Sequence, residues 1–193
     1  MEISFDFDAR KAALAMAYLV SRMAGQKTDK VKLMKLLYLA DRDHFLREGR
    51  PITGDDPYAM PYGPVPTLSL NLLDGQFDQG HDGEVFAYLE TSDRDVCLKK
   101  LPEPLGLEDS EKKILDEIIE RYGKIETWTL ERQTRKLPEY QRVNRSGTST
   151  RIPFELLLEF YAKDRLFRHG RAVVTSAMAA NMSCPFSRSE DDL

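Results

Sequence analysis

The sequence predicts a mainly α (α+β) fold, with about five to seven helices and one small antiparallel β-hairpin. Three observations carry this expectation. Apolar residues recur at helical spacing in several segments, each bounded by a capping residue or a glycine stop. Only one pair of segments alternates with the period of a strand. A chain of 193 residues, 41% hydrophobic and 31% charged, has enough apolar surface to build a core.

Asp8 is placed to cap a first helix running to about Met23, with Leu14, Ala17, Tyr18 and Val20 on its apolar face and Gly25 as its exit. Thr28 or Asp29 caps a second helix, which runs to about Glu48 and stops at Gly49. Between Arg50 and Pro66 stand Pro51, Pro57, Pro61, Pro64 and Pro66, which fix φ and remove donors, so this stretch is predicted as an ordered loop with neither helix nor central strand. Residues 67–73 read as a short helix closed near Asp74-Gly75. Glu84 to Glu90 and Asp95 to Lys99 alternate around Thr91-Ser92-Asp93-Arg94 and form the predicted hairpin.

A further helix is predicted over Ser110–Tyr122, with Ile114, Leu115, Ile118 and Ile119 on one face, and another from Thr127 to Lys136. Pro153 suits the first turn of a last helix, striped by Phe154, Leu157, Leu158 and Tyr161 and extending to His169. Residues 1–170 then form the domain, and 171–193 a tail, partly helical or disordered.

The net charge of −4 argues against a surface that binds nucleic acid as a whole. Two distant cysteines, Cys97 and Cys184, read as reduced thiols. The acidic start, Met1 to Asp6, is unlike a secretory leader, and no apolar run approaches the ~20 residues of a bilayer span. The expected location is cytoplasmic, away from the membrane.

On the second helix, Lys35, Tyr38 and Asp41 follow one another at spacings of three, with Arg42 beside them. Such a stripe can hydrogen-bond a loop docked across it, and the proline-rich loop is the natural partner because its carbonyls lack local donors. The alternative is an exposed row of ion pairs. In the loop itself, Gly63 permits a close approach or a positive φ, and Pro64 stiffens the chain before Val65. Tyr58, Met60 and Tyr62 read either as parts of a structural turn or as exposed anchors of the kind enriched in interfaces.

Catalytic signatures do not assemble. His44, His81 and His169 are far apart, no Cys-x-x-Cys or His-x-x-x-His pair occurs, and no phosphate-loop or nucleophile-elbow pattern is present. Gly54-Asp55-Asp56 and His44 to Arg50 match only fragments of longer enzyme signatures. No cofactor or metal is expected. Charge is uneven: residues 74–95 are acidic, whereas 132–151 carry Arg132, Arg135, Lys136, Arg142, Arg145 and Arg151 against Glu139. That basic segment, with Tyr140 within it, could contact nucleic-acid phosphates or an acidic protein surface.

Lys32-Leu33-Met34-Lys35-Leu36-Leu37-Tyr38-Leu39-Ala40-Asp41, then Gly49-Arg50-Pro51-Ile52, then Ala59-Met60-Pro61-Tyr62-Gly63-Pro64-Val65 together resemble the signature of the SocA-like antitoxin, or Panacea, domain of bacterial and phage toxin-antitoxin systems. The likeness extends more weakly over residues 10–165. Where family members usually carry Leu-x-x-x-Thr-His and then Pro-Trp, this chain has Leu130 to Arg135 and Glu139-Tyr140, without the histidine and the tryptophan. The resemblance implies a helical, non-enzymatic antitoxin that binds a toxin protein encoded by an adjacent gene, and in one branch delivers it to the ClpXP protease. On that implication Lys35, Tyr38, Asp41, Arg42, Tyr58, Met60, Tyr62, Gly63, Pro64 and Val65 are signature residues and candidate partner contacts. A nucleic-acid-binding transcriptional regulator acting through residues 132–151 is the second reading.

Overall fold

A computed structural model describes residues 2–76, 82–145 and 148–161, together with Ala172. Its fold is mainly α. Asp8 accepts from the Lys11 amide at 2.9 Å and starts helix α1 (Ala9–Ser21). The alanines at 9, 12, 13, 15 and 17 are all buried and let neighbouring elements approach closely. A short turn at Ala24–Gln26 and strand β1 (Lys27–Asp29) lead to helix α2 (Lys30–Glu48), where Asp29 accepts from the Lys32 amide at 2.8 Å. The helix is rich in Leu, Lys and Arg, which lose little side-chain freedom in that conformation. It ends at Gly49.

Helix α2 is the axis of the molecule. It packs against α1, against helices α5 (Asp109–Tyr122), α6 (Thr127–Thr134) and α8 (Phe154–Tyr161), and against strand β3 (Gly63–Pro66). Every residue from Leu33 to Leu46 is buried, so no solvated face remains over that length. Lys35, Arg42 and Asp43 are buried with the rest. The alternative reading of the stripe as an exposed row of ion pairs is thus corrected: neighbours cover it. A second, smaller apolar cluster of Ile3, Phe45, Leu46, Phe154 and Leu157 seals its C-terminal end, with the Phe5 ring edge-on to Phe154 at 5.1 Å.

Strand content exceeds the single predicted hairpin. One antiparallel sheet has the order β1-β5-β4, joining β1 to β4 (Leu89–Thr91) and β5 (Asp95–Leu98). The other has the order β3-β2-β6, with β2 (Pro57–Met60) at its centre and β6 (Thr150–Arg151) at its edge. The proline-rich segment is therefore a hairpin, in register Pro57 to Pro66 and Met60 to Gly63, rather than a loop. Its prolines are tolerated because Pro57 is the first residue of the central strand and Pro64 and Pro66 lie on the edge strand, where no donor is required. Gly54, before the hairpin, has φ +73°, and a Cβ there would stand 2.1 Å from the Asp6 carbonyl oxygen, so the N-terminal segment crosses it without room for a side chain.

Helix α3 (Thr67–Leu73) follows at the predicted place. The segment read as a first hairpin strand is instead helix α4 (Asp82–Tyr88) running into β4. Val85 and Leu89 are buried while Ala87 is exposed, so the i, i+4 spacing governs packing rather than the alternation. Helix α5 begins with a capping box between Glu108 and Glu111. Helix α6 stops at Thr134, short of Lys136, because Pro138 opens a separate helix α7 (Pro138–Val143). Eight α-helices are present among the described residues. The expected extension of the last helix to His169 and, apart from Ala172, the tail 171–193 lie outside them.

Candidate functional site

The stripe on α2 reaches into the chain itself. Lys35 is 1% exposed, and its Nζ donates a 2.8 Å hydrogen bond to the Pro64 carbonyl oxygen. Burial pushes its pKa down to about 8, with Glu131 opposing the shift and Arg135 adding to it. The Oδ1 of Asp41 accepts from the Ile52 and Thr53 amides at 2.9 and 3.0 Å, and its Oδ2 accepts from the Thr53 hydroxyl. Burial pushes the Asp41 carboxyl up to about 7 despite these donors. The docking of the proline-rich segment across the helix is thus made by Lys35 and Asp41, one at each end.

Tyr38 and Arg42 turn elsewhere. Tyr38 Oη donates to Glu139 Oε1 at 3.0 Å, Arg42 Nε donates to the same oxygen at 2.7 Å, and Tyr161 Oη donates to Glu139 Oε2 at 3.2 Å. Arg42 also donates to Asp43 at 2.7 Å and lies over the Tyr161 ring, 4.4 Å from its centroid. Burial, followed by the Glu139 carboxylate, raises the Tyr38 phenol well above its usual range. Glu139 is fully buried, and sequence reasoning did not select it as a site residue. The available signal was its position as the lone acid in a basic segment.

The enzyme-like fragments also have structural roles. Asp55 accepts from the Leu68 and Ser69 amides at 3.2 and 2.6 Å, capping α3 from a distance where its own N-cap, Pro66, has no acceptor side chain. His44 is fully buried; its Nδ1 donates to the Arg50 carbonyl at 2.7 Å and its Nε2 lies 3.3 Å from the Ser110 hydroxyl. Among the described residues, no group of three or more His, Cys, Asp and Glu side chains is placed to hold a metal ion, and no helix is long and apolar enough to cross a membrane.

Exposure begins at the tip of the hairpin. Gly63, Pro64 and Val65 are buried, Tyr58 and Met60 are half-buried, and Tyr62 is 69% exposed. The tip is held in place from below. Tyr140 Oη donates to the Met60 carbonyl at 2.9 Å, and Gly63, at φ +102°, leaves space for Thr134 and Lys35 that a Cβ would enter at 3.0 and 3.3 Å. Trp128 on α6, a second aromatic that sequence reasoning passed over, is 58% exposed with the Arg132 guanidinium 5.4 Å from its ring.

Beside the tip, Pro61 and helices α6 and α7 enclose an open cleft of about 500 Å³ lined by Arg132, Arg135, Lys136 and Arg145, with Tyr140 at its base. Most of the basic segment therefore converges on one place. Arg151 does not join it, since it pairs with Glu2 and Asp56 at 2.6 and 2.8 Å and fastens β6 to the N-terminal segment. Of the acidic stretch, Asp95 pairs with Lys27 at 2.8 Å instead.

The arrangement is a rigid scaffold presenting an aromatic tip and a cationic cleft, and its buried polar groups are occupied in holding both. A family model described as antitoxin SocA-like, Panacea domain, matches residues 33–140, more than half of the chain. No curated protein matches the chain, and no solved structure does. The matched span runs from the start of the buried part of α2, through the hairpin, to Glu139 and Tyr140, the elements that build the tip and its support. The chain belongs to the SocA-like antitoxin, Panacea domain family.

Proposed function

We propose that this chain is a non-enzymatic antitoxin that binds a cognate toxin protein, encoded by an adjacent gene, and neutralises it by direct contact. Membership of the antitoxin family over residues 33–140 is the observation that carries the reading. The division of labour among the signature residues supports it. Lys35, Tyr38, Asp41 and Arg42 are consumed in internal hydrogen bonds, whereas Tyr62 at the tip is available to a partner and Tyr58 and Met60 flank it. Tyrosine on a rigid turn offers large contact area at little entropic cost, as interface anchors do.

Co-expression with the product of the neighbouring gene tests the reading: growth is restored and the two proteins purify as one complex. A neighbour that is harmless alone, or a complex that does not form, contradicts it. Delivery of the toxin to the ClpXP protease is a further part of this proposal, and a toxin half-life that lengthens when ClpXP is depleted supports it. The cationic cleft also favours a second reading, a transcriptional regulator that binds nucleic acid through residues 132–151. Titration against operator DNA at two salt concentrations decides that case, because affinity from phosphate contacts falls steeply with salt.

A further inference from the structure

The cations of the cleft differ from the four arginines that fasten elements of the fold together. Arg42, Arg47, Arg50 and Arg151 each pair with a carboxylate within 3.5 Å. Among the described residues, Arg132, Arg135, Lys136 and Arg145 have no ion-pair partner, all four are exposed, and no acidic side chain lines the cleft they share. Like charges gathered on one concave surface repel one another and concentrate a positive potential there. Asn144 and the Tyr140 ring add neutral polar and aromatic surface between them.

We propose that this cleft receives an acidic, extended segment of the partner toxin; the proposal rests on the antitoxin reading. Three features favour a protein segment over a nucleic acid. The chain has a net charge of −4 and a pI near 5.5, so its overall field repels a long polyanion and only a short anionic stretch gains from the local cations. Pro61 of the hairpin tip lines the cleft together with the cations, so a segment seated in the cleft also meets the tip. Exposed Tyr62 lies next to Pro61 in the chain, and Trp128 lies one helical turn before Arg132, so the cleft is flanked by two residue types that dominate protein interfaces. Arginine forks match carboxylates in two-pronged geometry, which fixes the register of an Asp- or Glu-rich strand.

The test compares wild type, the cleft variant R132E/R135E/K136E and a control variant R10E/K100E in which exposed cations elsewhere are reversed. Each is co-expressed with the toxin and titrated with a fluorescein-labelled octaglutamate peptide and with single-stranded oligothymidylate, and each is melted to confirm folding. The proposal expects the control to restore growth like wild type. It expects the cleft variant to melt normally, lose growth rescue and bind the toxin and octaglutamate about a hundredfold more weakly. Equal rescue and equal peptide binding by the cleft variant overturns the proposal while the antitoxin reading stands. Failure of wild type itself to restore growth overturns the antitoxin reading and the proposal with it. Oligothymidylate bound more tightly than octaglutamate overturns the proposal in favour of a nucleic acid.

Discussion

Lys35 Nζ stands 2.8 Å from the carbonyl oxygen of Pro64, so the buried ammonium of α2 ties down the edge strand of the hairpin that carries the exposed tip. The two blocks of the family signature meet at this bond. It joins them as scaffold, one helix and one hairpin, and leaves Tyr62, within the second block, exposed at the tip.

The Lys35 bond has a pH signature. The unfolded lysine titrates near ~10.4, whereas in the folded chain burial brings it to about 8. Between these values the folded state binds fewer protons, so stability rises with pH. Denaturant titrations of wild type and K35M between pH 8 and 9.5 should show the stability difference moving in favour of wild type as pH rises. A constant difference would mean that the ammonium is solvated.

Asp41 has the opposite sign. Its folded carboxyl holds a proton to about pH 7, while an unfolded aspartate releases it near ~3.9. The folded state therefore binds more protons in that window, and the contribution of Asp41 falls as pH rises through it. In D41N the amide oxygen still accepts from the Ile52 and Thr53 amides, so the variant folds and lacks this slope. D41A removes the acceptor and costs about 1–3 kcal/mol for each buried amide left bare. Stability curves of the three proteins from pH 4 to 7 check the ordering.

Glu139 accepts from Tyr38, Arg42 and Tyr161 at zero exposure. E139A leaves the Arg42 guanidinium buried with Asp43 as its one paired carboxylate among the described residues, and the expected loss is about 3–5 kcal/mol. A thermal melt near that of wild type would show that water or Asp43 replaces the missing carboxylate.

Much of this fold is legible in the sequence, because caps and stops act locally. Asp8, Asp29 and Gly49 mark the ends of α1 and α2 within a residue or two. What the sequence hides depends on tertiary contact. The polar residues of α2 resemble a solvated face until Pro64, Thr53 and Glu139, all distant in the chain, arrive to bury them. The prolines look like strand breakers until their edge positions in the sheet are known. The convergence of four cations on one cleft needs the turn between α6 and α7, which no periodicity reports.

The tip and its support separate in two substitutions. G63A places a Cβ 3.0 Å from the Thr134 hydroxyl at φ +102°, and it should cost roughly 1–3 kcal/mol of stability. Y62A removes a side chain that is 69% exposed, and it should leave the melting temperature unchanged while weakening toxin binding by about tenfold or more. Melting and affinity measured on both variants distinguish these effects. An unstable Y62A would place Tyr62 among the scaffold residues instead.

Titration calorimetry of this chain against the protein encoded beside it tests the central claim most directly. Neutralisation by direct contact predicts a saturating isotherm with fixed stoichiometry, from a neighbour that arrests growth when expressed alone. An absence of binding heat at several temperatures, with no shared peak on size exclusion, would contradict it.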